Sequence, residues 1–178
     1  MQQAGDDLDW KAFQATSDDG YITTLWRITG TNGARSGLRE SPRGPILLQH
    51  GIWSDAQSWM ERSDITSAAL PVKLFNLGFD VWIANGRGTT HSSGHTTLNA
   101  ETDNEYYDYC FVEQAMMDLP AQVDVILEAR KNEPCTKVSL LTHSTASNIA
   151  VYGASKSPGL ADKLASVLTL APCYFLNL

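Results

Sequence analysis

Ser144 is the residue whose type and surroundings point most directly to chemistry. It lies in the segment Thr142-His143-Ser144-Thr145-Ala146, after an apolar run from Val138 to Leu141 that predicts a strand and before small residues that predict a helix. A serine at a sharp turn of this kind projects its hydroxyl beyond the strand, close to the positive end of the helix dipole and its free backbone N–H groups. Such a hydroxyl could act as the nucleophile of an acyl transfer.

The same serine also has an ordinary structural interpretation, because serine is a frequent N-cap at the start of a helix. The segment resembles the G-x-S-x-G nucleophile elbow of α/β-hydrolases, although Thr142 and Ala146 stand where that motif has glycine. These two positions must be small, since the helix and the strand nearly touch there. Ala146 meets this requirement, and the β-branched Thr142 predicts a looser turn. Taken alone, the segment leaves both a nucleophile and an N-cap open.

A second candidate element is Gln49-His50-Gly51-Ile52, which ends the apolar run that starts at Pro45. Hydrolases with a nucleophile elbow place half of the oxyanion hole at this point. The donors would be the backbone N–H of Ile52 and that of Thr145, directly after the serine. An ordinary glycine turn after a strand is the alternative, and the order of the two motifs along the chain favours the oxyanion hole.

Further stretches, spread over nearly the whole chain, match one family in order. They are Asp19-Gly20-Tyr21-Ile22 with Arg27-Ile28, Leu47-Leu48-Gln49-His50-Gly51, Gly78-Phe79-Asp80-Val81-Trp82, Asn85-Gly86-Arg87-Gly88-Thr89, Glu105 to Ala121 ending in Asp118-Leu119-Pro120-Ala121, and Leu170-Ala171-Pro172. With them the chain resembles the N-terminal half of the acid lipase family, the animal gastric and lysosomal lipases with their fungal and plant relatives. The resemblance implies hydrolysis of acylglycerol or sterol esters, with Ser144 as the nucleophile and the N–H groups of Ile52 and Thr145 as oxyanion donors.

The chain departs from this family at the elbow and in its triad. Thr145 stands where the family has glutamine, and the family's Asp and His follow far downstream of the serine. The chain ends at Leu178, where the lid region should begin. We therefore expect the Asp and the His to come from a missing segment or a partner. The alternative is a catalytically inactive, lipase-like structural subunit of a larger assembly.

The resemblance assigns none of the chain's four histidines the role of general base for Ser144. His50 belongs to the oxyanion loop, and His143 is expected to point away from Ser144 if the turn is normal. His91 and His95 follow Gly88 in a polar loop, where Ser92-Ser93-Gly94 excludes the helix of a zinc site. A serine without a base is a poor nucleophile, so activity and inactivity of this chain both stay open.

The resemblance implies one α/β-hydrolase-type domain over residues 1–178, incomplete and truncated before the lid and the last strands. A β-hairpin bends at Asp19-Gly20, and beyond it strands alternate with helices, which predicts a mostly parallel sheet with helices on both faces. The predicted strands are 45–49, 79–84, 138–141 and 167–170; the helices are 70–77, 106–130 with Pro120 in the first turn of a second helix, and 145–155, followed by a turn at 157–159.

Composition excludes several classes of partner. The net charge of −7 argues against nucleic acid, and no apolar run is long enough to span a membrane. The polar, acidic N-terminus lacks the features of a signal peptide, so we expect an intracellular or organellar protein if Met1 is the true start. No motif predicts a cofactor or a metal. Gly86-Arg87-Gly88, for example, lacks the third glycine of a dinucleotide loop.

Two further expectations concern the strand at Val167–Leu170 and the cysteines. The strand is apolar on both faces and would form an open edge, which predicts that a second polypeptide or the missing C-terminal half docks there. Cys110, Cys135 and Cys173 are odd in number and scattered, which favours buried free thiols over a disulfide framework.

Overall fold

A computed structural model describes residues 8–31, 43–61, 68–134 and 136–173. The strands are β1 Leu8–Thr16, β2 Tyr21–Thr31, β3 Pro45–Gln49, β4 Asp80–Ala84, β5 Gly94–His95, β6 Val138–His143 and β7 Leu164–Leu170. The α-helices are α1 Leu70–Asn76, α2 Phe111–Glu113, α3 Leu119–Ala129, α4 Ala146–Lys156 and α5 Pro158–Ala161. The polar N-terminal segment and Cys135 lie outside the described residues, and none of the described helices is long and apolar enough to cross a membrane.

The strands form one mixed sheet in the order β1-β2-β4-β3-β6-β7, and the short β5 pairs with β2. The β1–β2 hairpin is antiparallel, as Asp19-Gly20 predicts, and Gly20 takes a φ of 96° at the bend. From β4 to β7 the neighbouring strands are parallel. Because parallel strands end at the same edge, the loops after β3 and β6 are brought together there.

Helices cover both faces of this sheet, because the apolar side chains of each strand alternate between them. One face packs Leu47, Trp82 and Leu140 against residues of α3 and α4. On the other face Leu48 and Ile83 lie in a second cluster, against which Leu74 and Phe75 of α1 pack. The predicted architecture, a largely parallel sheet between two layers of helices, is confirmed.

A buried network of charged side chains ties the last turn of α3 to the sheet. Asp80 on β4 accepts hydrogen bonds from Arg27 at 2.8 and 3.1 Å, from Arg130 at 2.6 Å and from the Trp82 indole at 2.9 Å. Asp80 and both arginines are almost fully buried. The Asp80 carboxylate therefore has its lone pairs satisfied, and Glu133, 3.5 Å from Arg27 and 2.8 Å from Arg130, supplies the second negative charge that balances the two arginines.

The helical region that contains Pro120 starts later than predicted. A 3₁₀ turn covers Asn104–Tyr107, and a continuous helix then starts at Phe111. Pro120 lies in the first turn of the later helix α3, as predicted, and α3 follows directly on the turn Gln114–Asp118, which is widened into a π-helix. Since proline has no N–H to donate, a widened turn accommodates it within the helix without a break.

The end of the described chain also differs in detail. The Ser157-Pro158-Gly159 segment is not a simple turn, because the Ser157 hydroxyl caps α5 by accepting from the N–H of Leu160. Within the described part of the sheet, β7 pairs only with β6, and its Leu168 and Leu170 are 48% and 42% exposed.

The prediction of buried thiols was wrong for Cys110, which is exposed, and for Cys173, which is half-buried.

Replacing Asp80 by asparagine tests the buried charge network. Asp80→Asn removes the carboxylate that Arg27 and Arg130 share and leaves them only the partly exposed Glu133 as an anionic partner, so we expect a loss of about 3 kcal/mol in the free energy of unfolding. Asp124→Asn is the matched control, because the Asp124–Lys163 ion pair is exposed and should be worth about 0–1 kcal/mol. Denaturant unfolding measures both; equal losses would contradict a special role for the buried pair.

Candidate active site

Ser144 occupies a strained turn between β6 and α4. Its φ is 55°, in the left-handed region that a serine rarely adopts. The turn is held by the Ser144 N–H donating to the carbonyl of Leu170 at 3.0 Å and by the N–H of Ser147 donating to the carbonyl of Ser144 at 3.0 Å. Helix α4 begins at Ala146 and its N-cap is Thr145, which makes no side-chain capping hydrogen bond. The backbone geometry is thus that of a nucleophile elbow rather than of a helix capped by Ser144.

The two positions that replace the elbow's glycines are packed without unpaired polar groups. Thr142 is fully buried, and its hydroxyl lies 3.2 Å from the Ser147 hydroxyl and 3.2 Å from the carbonyl of Leu168 on β7. Ala146 is also buried, and its small side chain lets α4 approach the strand. A threonine is tolerated in this turn because its hydroxyl finds partners across the strand pair.

The loop after β3 is pressed against Ser144. A Cβ atom added to Gly51 would lie 2.9 Å from the Cβ of Ser144, closer than real Cβ atoms approach one another. Glycine is therefore required at position 51 for this approach. The β3–β6 pairing, in register through Gln49 and Thr142, brings the two loops to this contact.

His50 braces the same loop and is not a catalytic base in this arrangement. Its Nε2 accepts a hydrogen bond from the N–H of Gly86 at 2.9 Å, and its Nδ1 lies 2.8 Å from the carbonyl of Gly51. Nε2 must therefore carry no proton, and Nδ1 donates to the carbonyl. Burial lowers the pKa of His50, which favours this neutral tautomer.

The two predicted oxyanion donors lie on adjacent loops, but one of them is occupied. The N–H of Ile52 donates a 2.9 Å hydrogen bond to the hydroxyl of Thr145. Nothing in the two sequence motifs signals this contact, because its partners are 93 residues apart.

Ser144 Oγ has a thiol neighbour. Cys173 Sγ, shortly after β7, lies 4.0 Å from this hydroxyl. In the part of the chain that the structure describes, no hydrogen bond joins Ser144 to an imidazole, although all four histidines are included.

The other three histidines have separate surroundings. His95 lies with its Nε2 2.9 Å from the carbonyl of Asp19. His91 packs edge-on against Trp26, at 4.8 Å between ring centroids. His143 is exposed, with its ring centroid 6.5 Å from that of Trp59.

Arg87 forms a network of ion pairs with Asp19 and Asp118. The sequence analysis did not predict this network. Arg87 donates to Asp118 at 2.7 and 2.8 Å and to Asp19 at 2.7 and 3.1 Å, and its guanidinium lies 3.8 Å from the centre of the Tyr21 ring. Burial opposes the charged form, but the hydrogen bonds to the two carboxylates outweigh it and raise the pKa of Arg87. A lone arginine between two glycines, after a buried strand, was the available signal.

A cleft of about 1320 Å³ opens beside the elbow. Gly51, Thr145 and Cys173 are among its lining residues, whereas Ser144, which is half-buried, is next to them but not among the lining residues. Arg87 and Asp118 line its polar part. Apolar side chains at its mouth are strongly exposed: Ile52 60%, Trp53 97%, Tyr107 57% and Phe111 42%. Within the described ranges, no three His, Cys, Asp or Glu side chains group as a metal site.

Comparison with known proteins agrees with this geometry. A family model of the α/β hydrolase fold matches residues 44–178, and one of the partial α/β-hydrolase lipase region matches residues 4–63. The chain belongs to the α/β-hydrolase fold family. Its predicted resemblance to the acid lipases is confirmed by relatives such as the human lysosomal acid lipase/cholesteryl ester hydrolase, 33% identical over 156 residues. Lipase member M of Mus musculus is 34% identical over 160 residues.

These relatives are much longer than the chain. The matches cover 88% and 90% of this chain but only 37% and 36% of the two lipases. Solved structures support the fold: an esterase of Pyrococcus furiosus has a TM-score of 0.61 at 17% identity, covering 96% of this chain and 54% of its own. A carboxyl esterase of Bacillus coagulans has a TM-score of 0.61 at 16% identity, and the match covers 90% of this chain and 43% of the esterase.

The neutral state of His50 predicts a pH dependence of stability. A lowered pKa in the folded state means that the unfolded chain binds more protons below about pH 6.5, so stability is present above that pH and is lost as the pH falls through the folded pKa. His50→Gln removes this titration. We expect urea unfolding to show that the free energy of unfolding falls more steeply for the wild type than for the variant as the pH is lowered from about 7 to about 5. Parallel pH profiles would contradict the prediction.

The contact between Gly51 and Ser144 can be tested by a double-mutant cycle. Gly51→Ala should destabilise the fold by about 1–3 kcal/mol, because its Cβ collides with that of Ser144. Ser144→Gly removes the colliding atom, so the double variant should be less destabilised than the sum of the two single variants.

Gly159→Ala is the control for this cycle, because nothing lies within 4 Å of the position its Cβ would take. It should cause no comparable loss of stability. Strictly additive effects of Gly51→Ala and Ser144→Gly would show that the two residues do not touch.

Proposed function

We propose that the chain carries the nucleophile and oxyanion hole of a carboxylic ester hydrolase that acts on lipid esters of the acylglycerol or sterol ester type. Ser144 is the nucleophile, and the N–H groups of Thr145 and Ile52 are the oxyanion donors. The observation that carries the proposal is the positive φ of Ser144 at the end of β6, in contact with the Gly51 loop. Strain of this kind persists at functional turns when the surrounding packing maintains it.

The reaction proceeds by acyl transfer. Ser144 Oγ attacks the ester carbonyl carbon and gives its proton to a general base, and the carbonyl oxygen becomes an oxyanion that the two N–H groups stabilise. The intermediate collapses, the protonated alcohol leaves, and a water molecule then hydrolyses the acyl-enzyme. The four histidines of the chain have other surroundings, so the base and its carboxylate partner come from a segment or partner outside the described residues.

The cleft supports a lipid ester as substrate. Exposed apolar side chains at its mouth, above all Ile52 and Trp53, suit an acyl chain or a lipid surface, since contiguous exposed apolar groups mark binding sites. The names of the relatives agree with this chemistry: one is a lysosomal acid lipase/cholesteryl ester hydrolase.

The second candidate function is an inactive, lipase-like structural subunit. The absence of an imidazole bonded to Ser144 within the described residues favours it. So does the exposed edge of β7, where Leu168 and Leu170 could pack against another polypeptide.

Fluorophosphonate labelling separates the two candidates. The probe phosphonylates an activated serine with loss of fluoride, and a serine lacking its base reacts about 10²–10⁴-fold more slowly. We expect Ser144 to be labelled slowly by itself and several-fold faster when imidazole is added as an external base, with the modified peptide identified by mass spectrometry.

Ser144→Ala, treated in the same way, accounts for background labelling of other residues. An unlabelled Ser144 in the presence of imidazole, under conditions that label an intact serine esterase, would rule out the hydrolase and leave the structural subunit.

A further inference from the structure

We infer that the Thr145 side chain is a gate on the oxyanion hole: its hydroxyl occupies the N–H of Ile52 in the resting site and must leave before that N–H can bind an oxyanion. The inference rests on the proposed function of Ser144. It assigns two opposed roles to one residue, because the backbone N–H of Thr145 is one donor of the hole and its side chain occupies the other donor.

The contact that carries the inference is the 2.9 Å hydrogen bond from Ile52 N to Thr145 Oγ1. A backbone N–H makes one well-aligned hydrogen bond, so the Ile52 N–H cannot serve a substrate oxygen at full strength while it is bound to the hydroxyl. Both residues line the cleft, so the contact lies where the substrate carbonyl would enter.

The side chain of Thr145 can move without disturbing the backbone donor. Its carbonyl accepts hydrogen bonds from Asn148 at 3.0 Å and Ile149 at 3.3 Å, which anchor the residue to α4. Its hydroxyl makes no capping hydrogen bond, so rotation about χ1 costs the helix nothing. The neighbouring cleft provides space for the rotated side chain.

The gate discriminates between ground state and transition state. A hydrogen bond to a neutral hydroxyl changes an equilibrium by about fivefold, and a neutral ester carbonyl would bind no better than the hydroxyl it replaces. A developing oxyanion forms charge-assisted hydrogen bonds that are roughly twice as strong. It therefore displaces the hydroxyl, at the cost of breaking the resting contact.

Thr145→Val removes the hydroxyl at nearly constant shape, and Thr145→Ser retains it. Amide hydrogen exchange at Ile52, measured by NMR, reads the contact directly and does not depend on catalysis. We expect exchange about fivefold faster in Thr145→Val than in wild type, with Thr145→Ser remaining slow. Equal exchange in all three proteins would overturn the inference.

The second measurement is the rate of fluorophosphonate labelling of Ser144 with added imidazole. With the gate removed, Thr145→Val should react about fivefold faster than Thr145→Ser. Thr145→Ala supplies a second hydroxyl-free protein in case valine perturbs the fold, and thermal unfolding checks all variants.

The outcomes distinguish the two proposals. If Ser144 is labelled but the hydroxyl-free variants are no faster than Thr145→Ser, the hydroxyl braces the loop and the gate is overturned. If Ser144 is labelled in none of the proteins, the hydrolase function itself fails.

Discussion

The close packing of Gly51 against Ser144 is the constraint on which the rest of the site depends. Strands β3 and β6 are parallel neighbours, so their loops leave the sheet side by side. Only a residue without a Cβ lets the first loop reach the second. This approach brings the Ile52 N–H within 2.9 Å of the Thr145 hydroxyl, and it leaves Ser144 in a turn that its own φ preference disfavours.

Buried polar groups fix the positions of the loops after β3 and β4 relative to the sheet. His50 connects its own loop to the loop after β4 through the N–H of Gly86, while Arg87, one residue later, is bound by Asp19 and Asp118. Further along the sheet, Asp80 joins Arg27 to Arg130. Each of these groups would be costly to bury alone, and together they fix loops that apolar packing does not orient.

Two polar groups of the resting site have neighbours within the chain. The Ile52 N–H is bound to the Thr145 hydroxyl, and the Ser144 hydroxyl lies beside Cys173. Under the proposed function, an oxyanion donor with an internal acceptor loses less on exclusion of water than one with a free N–H, but a substrate must compete for it. Polar groups with partners inside the chain would also suit a lipase-like domain that no longer catalyses. The response of Ser144 to an external base therefore decides between the two functions.

Much of the fold and part of the site follow from local sequence patterns. Apolar runs ending at His50-Gly51, at Asn85-Gly86 and before Ser144 predicted the three central strands, and Asp19-Gly20 predicted the hairpin, because periodicity and turn residues act over a few positions. The strained turn at Ser144 was likewise predictable, since strand, serine and helix are adjacent in the chain.

Tertiary structure alone decided the remaining features. The π-turn before Pro120, the ion pairs of Arg87 and the hydrogen bond between Ile52 and Thr145 depend on partners that sequence distance separates. A side chain chooses among such partners only after the sheet has set the spacing between loops. Thr145 thus follows the serine by sequence, but whether its hydroxyl faces solvent, helix or the Ile52 N–H is settled by the register of β3 and β6.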